Sequence, residues 1–235
     1  MTKGIIFDYG GTLDTGGLHW SEVLWLGYQD AQVPVSKEQF RECYVYAERE
    51  LARHPYIKPQ HNFLDLLRIK LRLETGRLVA HGYWQAEEES RRAAAEQIAQ
   101  FCYAYVLRNL LRSRPVAQEL AKRYPLALVS NFYGNIGSVL RDFRLELFQR
   151  VIESALVGVR KPDPRIFRLG VEALGCKPRE TVVVGDSFGK DIVPASQIGC
   201  QTVWMKGKGW ADEPVDPSLP TWTITDIGQL AEILL

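Results

Sequence analysis

A chain of 235 residues, 46% hydrophobic and 24% charged, with a formal net charge of +1, has an ordinary globular composition and enough length to bury a sizeable core. The near-neutral balance supplies no global positive field for nucleic acid, and no stretch approaches the roughly 20 apolar residues that span a bilayer. The apolar run in MTKGIIF is too short for a secretory segment because Asp8 interrupts it, so a cytoplasmic protein is expected.

The first predicted strand is Gly4 to Phe7, ended by Asp8 and followed by a tight GGT turn. A carboxylate at a strand's C-terminal tip can face a ligand while glycines permit close backbone approach; a plain turn or helix-capping aspartate is the alternative. From about Gly16 to Arg114 no buried strand is evident. One apolar helical face runs through Phe40, Cys43, Tyr44, Ala47 and Leu51, another begins at Phe63, Leu66 and Leu67, and a long amphipathic helix runs from Glu87 through Leu110. Pro34, Pro55, Pro59 and Gly76 read as punctuation. Such an insert is expected to form a separate lobe above the first strand's C-terminal end.

Further strands are predicted at Leu126 to Val129, Val151 to Glu153, Thr181 to Val184 and, more weakly, Thr202 to Trp204. Several are continuous apolar runs, as in a parallel sheet covered on both faces. Helices are expected around Ile136 to Phe143, after Asp163-Pro164 as far as Gly175, and from near Gly189 to Gly199. The tail WADEPVDPSLPTWTITD reads as a surface loop leading to an edge element. Alternating strands and helices make this an open α/β domain. Cys43, Cys102, Cys176 and Cys200 are scattered and read as small buried hydrophobes rather than a zinc or dithiol site.

Chemistry-bearing residues recur at the strand ends. In LALVSNFYGN, Ser130 and Asn131 can bind an anion oxygen or simply cap and turn. In GVRKPDP, Lys161 or its neighbour Arg160 can bring positive charge to an anion; a solvated basic turn is the alternative. In TVVVGDSFGKDI, Asp186 can bind Mg²⁺ directly, while Asp191 acts through a coordinated water or steadies the lysine; two capping aspartates are the alternative. A parallel sheet gathers such ends at one crevice.

The set Asp8 with Thr12, Ser130, Lys161, and Asp186 with Asp191 resembles the haloacid dehalogenase-like hydrolase superfamily. The resemblance implies a Rossmann-like three-layer α/β core with a mainly parallel sheet, formed by residues 1–15 and 115–235, and an inserted α-helical cap over 16–114. It also implies Asp8 as a nucleophile forming an aspartyl phosphate. Thr12, Ser130, Asn131 and Lys161 would contact the phosphorylated substrate, and Lys161 would also steady Asp8. Asp8, the Gly10 carbonyl, Asp186 and Asp191 would hold Mg²⁺. The expected partner is a small phosphorylated metabolite, and exposed aromatics in the cap allow self-association; neither nucleic acid nor a membrane is expected.

Gly10 departs from the family pattern, in which most phosphatases carry an acid/base aspartate two residues after the nucleophile. Such a group typically contributes about 10² to 10⁴ in rate, so its loss favours good leaving groups such as aryl or acyl phosphates. Asp14, His19 or a cap residue is a candidate substitute. The competing readings are a phosphoryl-ligand binding protein on the same scaffold and a 2-haloacid dehalogenase, the latter disfavoured because that branch resembles a metal-independent site. Phosphoglucomutase-like transfer is disfavoured by Gly10. Trp20, Tyr44, Glu48, Arg49 and Trp84 are candidates to border the substrate crevice.

Overall fold

The computed structural model describes residues 1–210 and 214–235. Among the described residues six parallel strands, β1 (Gly4–Phe7), β2 (Leu126–Ser130), β3 (Arg150–Glu153), β4 (Thr181–Gly185), β5 (Gln201–Met205) and β6 (Trp222–Ile224), form one sheet in the order β3-β2-β1-β4-β5-β6. The four expected runs and the weaker fifth are all strands, and the tail ends in β6 at the sheet edge. Residues 211–213, within the tail expected to be a surface loop, lie outside the described residues.

Alternation along the strands divides the interior into two layers. Ile5, Phe7, Leu126, Leu128, Val182 and Val184 face one side, against α4 (Glu88–Ala121), α5 (Ile136–Asp142) and α9 (Gln229–Leu234). Ile6, Ala127, Val129 and Val183 face the other, against α7 (Arg165–Ala173) and α8 (Val193–Gln197). The short α6 (Ser154–Val157) follows β3. Buried on both faces, these strands need no polar alternation, which is why they read as continuous apolar runs.

The insert after β1 contains α1 (Trp20–Asp30), α2 (Lys37–Arg53), α3 (Phe63–Ala80) and most of α4. The face of α2 expected from its spacing is buried. Capping boxes begin two of these helices, with Ser36 and Gln39 on α2 and Asn62 and Asp65 on α3. Gly76 lies inside α3 rather than in a break; a Cβ there would come within 3.1 Å of Arg91 Nη1, so the glycine makes room for the arginine of α4. Helix α1 was not anticipated. Its Gly27 packs so tightly on α4 that a Cβ would meet Ile98 Cγ2 at 2.9 Å.

The insert forms a helical sub-domain with a small cluster of its own at Leu51, Ile57 and Leu66, while its larger apolar side is continuous with the sheet layer. Val23, Leu24, Tyr28 and Phe40 share one continuous apolar interior with Phe7, Tyr9 and Leu13 of the sheet side, because α4 runs unbroken from the insert to Ala121 beneath the sheet. Cys43, Cys102 and Cys200 are buried and Cys176 is half-buried, all as free thiols. No helix among the described residues is long and apolar enough to cross a membrane.

Candidate active site

With β1 flanked by β2 and β4, the C-terminal ends of three neighbouring strands deliver Asp8, Ser130 and Asp186 to one rim. Lys161 reaches this rim from the loop before α7, with Nζ 2.6 Å from Asp8 Oδ1 and 2.7 Å from Asp191 Oδ1. Its side chain is only 3% exposed, whereas Arg160 stays exposed at the cavity edge, which answers which of the two basic residues turns inward. Burial opposes the Lys161 charge, yet Asp191 and Asp8 together hold its pKa above the ordinary lysine value. Burial pushes Asp8 up to about 6 against the pull of Lys161, and pushes Asp186 well above the usual carboxylate range.

One oxygen from each of Asp8, Asp186 and Asp191 lies within 4.8 Å of the others. Were all three ionised, three carboxylates against one ammonium would leave two negative charges uncompensated in a desolvated pocket, a deficit that only a bound cation would offset. An all-oxygen donor set with that deficit suits a hard dication such as Mg²⁺. The residues present therefore fit the metal, with Gly10 lining the cavity beside them.

Two glycines explain how the acids come so close. Gly11 has φ +95°, and a Cβ on it would lie 2.3 Å from Asp186 Oδ2. A Cβ on Gly185 would lie 2.4 Å from that of Asp191. Any side chain at either position displaces a carboxylate, so the GGT turn is shaped as much by Asp186 as by its own backbone. Asp191 sits in a π-helical turn over Phe188–Ile192 that leads into α8, and its Oδ2 accepts the Ser187 N–H at 3.0 Å.

The other expected residues surround this group, with Ser130 and Asn131 lining the cavity and Thr12 behind it. Thr12 is fully buried and donates its hydroxyl to Asp186 Oδ1 at 3.1 Å, placing it beneath the acid rather than on the cavity wall. The Asn131 side chain donates to the Lys161 carbonyl at 3.0 Å and accepts the Lys161 N–H at 2.9 Å, fixing the loop that carries the lysine. Ser130 is buried at the end of β2 and lines the cavity.

Neither Asp14 nor His19 is placed to stand in for an acid at position 10. Asp14 is buried beneath the turn, accepting the Gly11 N–H at 2.7 Å and the Trp20 Nε1–H at 2.9 Å; burial pushes its pKa up to about 8. His19 caps α1 by accepting the Ser21 N–H on Nδ1 and is half-buried, not a surface side chain. Burial, aided by Lys190 and Lys70, lowers its pKa to about 4, so at neutral pH it carries no imidazolium proton to donate. Tyr9 is fully buried, with its ring edge-on to Phe63 and Phe132.

Between sheet and insert lies a cavity of about 590 Å³ with Asp8 and Asp186 at its floor. Trp20, Tyr44 and Glu48 line it as expected, but Arg49 is exposed elsewhere and Trp84 is buried in the helical interior. Lys70, Phe63, Phe132 and Tyr133 also line it, together with Arg53 at the end of α2 and Ile57 of the α2–α3 connection. Lys70 pairs with Glu48 and lies 4.4 Å from the Tyr44 ring centroid, and the Tyr133 hydroxyl donates to Glu48 Oε2 at 2.9 Å. On the far side of Tyr44, Trp210 from the segment after β5 stacks on the tyrosine ring and lies against Arg41.

This fold and acid-lysine cluster define a class, and the family model for haloacid dehalogenase-like hydrolases matches residues 2–199. The chain belongs to that family. Among curated relatives, glyceraldehyde 3-phosphate phosphatase of Pyrococcus furiosus is 38% identical over 95 residues, covering 39% of this chain and 40% of that protein. Phosphoserine phosphatase of Thermus thermophilus is 37% identical over 89 residues, covering 37% of this chain and 33% of that protein. The matches thus span well under two thirds of those relatives' length. Among solved structures, a magnesium-bound hydrolase of the same superfamily from Bacillus subtilis superposes with a TM-score of 0.59 at 18% identity, covering 99% of this chain and 98% of that one. A dehalogenase with an intermediate complex gives 0.63 at 17% identity, covering 99% and 97%. At these identities the likeness is one of fold.

Proposed function

We propose that the protein is a Mg²⁺-dependent phosphomonoesterase that works through a phosphorylated Asp8. The observation that carries this reading is Lys161 bridging Asp8 and Asp191 beside Asp186 in the cavity between sheet and insert. An Asp8 oxygen attacks phosphorus, the bond to the leaving oxygen breaks, and that oxygen departs with the electron pair. Water then attacks the same phosphorus, the bond to Asp8 breaks, and inorganic phosphate leaves.

Like charges oppose the first attack, since a carboxylate must approach a phosphate dianion. Lys161 offsets part of that repulsion in a setting where low polarity strengthens the interaction between charges. Asp8, Asp186, Asp191 and the Gly10 carbonyl would hold Mg²⁺, which supplies charge neutralisation at the phosphoryl oxygens. Ser130 would take a phosphoryl oxygen, Asn131 would position Lys161, and Thr12 would orient Asp186. In this reading residues 1–15 and 115–235 form the catalytic body and 16–114 the substrate-selecting cap, with α4 crossing that boundary. The phosphatases among the relatives support a phosphorylated metabolite as substrate.

Phosphate release from a panel of phosphomonoesters, with Mg²⁺ and with EDTA, tests the reading. Turnover is expected only with the metal. Gly10 gives weight to a second reading, a protein that holds phosphoryl ligands without turning them over; metal-dependent binding across the panel without phosphate release would favour it.

A further inference from the structure

We propose that the preferred substrates are aryl phosphates, esters whose leaving oxygen is attached to an aromatic ring. This inference rests on the phosphatase reading and specifies what the cavity selects. Its first support is the surroundings of Gly10. A Cβ at Gly10 would lie 3.7 Å from both Cδ1 and Nε1 of Trp20, so an indole stands beside the position from which a carboxyl group would protonate the leaving oxygen. That indole is fixed, because its Nε1–H is donated to buried Asp14.

The second support is the wall that continues from Trp20. Its ring lies 5.4 Å from that of Phe63, Phe63 packs edge-on against Tyr9 at 6.5 Å, Tyr9 against Phe132 at 5.7 Å, and Phe132 against Tyr133 at 5.4 Å. Except for buried Tyr9, these rings line the cavity. Aromatic surfaces held in this way favour a ring over a polyhydroxylated chain. Of the polar groups in the cavity, Tyr133 and Lys70 are both engaged on Glu48, while Asn131, Arg53, Arg160 and Lys190 also line it. A hydroxyl-rich leaving group entering beside Glu48 would have to break the Glu48 contacts to replace its lost water.

The third support is chemical. An alkoxide is comparable in basicity to hydroxide, whose conjugate acid water has a pKa of about 15.7, and departs poorly unprotonated. A phenolate, with a conjugate acid near pKa 10, can leave with the electron pair and take its proton from solvent afterwards. No acid at position 10 is then needed for the first step, and both the wall and the missing acid select the same substrates.

The test measures kcat/KM with Mg²⁺ for substituted phenyl phosphates and for alkyl phosphates of similar size, together with competitive binding of phenylphosphonate and methylphosphonate. Aryl esters should exceed alkyl esters by about 10² to 10⁴, with rates falling steeply as leaving-group pKa rises. Phenylphosphonate should bind about ten-fold or more tightly than methylphosphonate, and Trp20→Leu should narrow that preference. Gly10→Asp should raise alkyl turnover more than aryl turnover and flatten the dependence on leaving-group pKa. Equal turnover of both ester classes, or equal binding of the two phosphonates, overturns the inference while leaving a phosphatase. No turnover of either class, with and without Mg²⁺, overturns the inference and the phosphatase reading together. The wild-type comparisons stand even if a variant fails to fold.

Discussion

Asp8→Asn should reduce phosphate release to background, by on the order of 10⁴-fold or more, because it exchanges the nucleophilic carboxylate for a neutral, weakly nucleophilic amide. The amide is nearly the size of the carboxylate it replaces, so packing at the tip of β1 is preserved. Lys161 keeps its ion pair with Asp191, so folding should be little affected. The loss should therefore appear in kcat, while phenylphosphonate still binds in the presence of Mg²⁺. A variant retaining a tenth of wild-type turnover would move the nucleophile elsewhere.

Lys161→Met has the second-largest expected effect, and it acts on both stability and rate. The lysine is the cation lying between Asp8 and Asp191, with its side chain 3% exposed and theirs 10% and 1%. Removing one partner from a buried pair typically costs about 3–5 kcal/mol, since the remaining charges have lost their compensation without regaining water. Urea titration in EDTA should show that destabilisation. Saturating Mg²⁺ should recover part of it, because the dication compensates the same carboxylates. Turnover should fall by about 10² to 10³ even with metal, as expected for loss of one electrostatic contact to a transition state. A Lys161→Met protein as stable as wild type in EDTA would show that the carboxylates do not need this charge.

How far the sequence was legible depended on whether a residue's role was set locally. Strands β1, β2 and β4 could be located because a strand buried on both faces is apolar throughout and stops where a polar residue reaches the rim, as at Asp8, Ser130 and Asp186. Their convergence followed from parallel topology. Helix α1 carries little local signal, because it is only 11 residues long, begins with a histidine cap and contains Gly27, whose purpose is close packing on α4. The same blindness to distant contacts made Gly76 read as a break and Arg49 and Trp84 as equal candidates with Tyr44 and Glu48.

The supporting roles were hidden for a related reason. Nothing in the local pattern says that Thr12 turns toward Asp186 or that Asn131 turns toward the Lys161 backbone, since both partners lie far along the chain. Phe63 was visible as part of a helical face, but its place between Trp20 and Tyr9 depends on how α3 meets the turn after β1. Gly10 was the opposite case: its missing carboxyl was plain in the sequence, and the indole beside it emerged only from the fold.

Peptide mass spectrometry of protein acid-quenched within the first turnover of an aryl phosphate, with Mg²⁺ present, tests covalent catalysis most directly. The expected result is one phosphoryl group on the peptide carrying Asp8, decaying as inorganic phosphate appears and absent from Asp8→Asn. Phosphate released at the same quench times with the phosphoryl group on another residue, or with no covalent adduct, would contradict it.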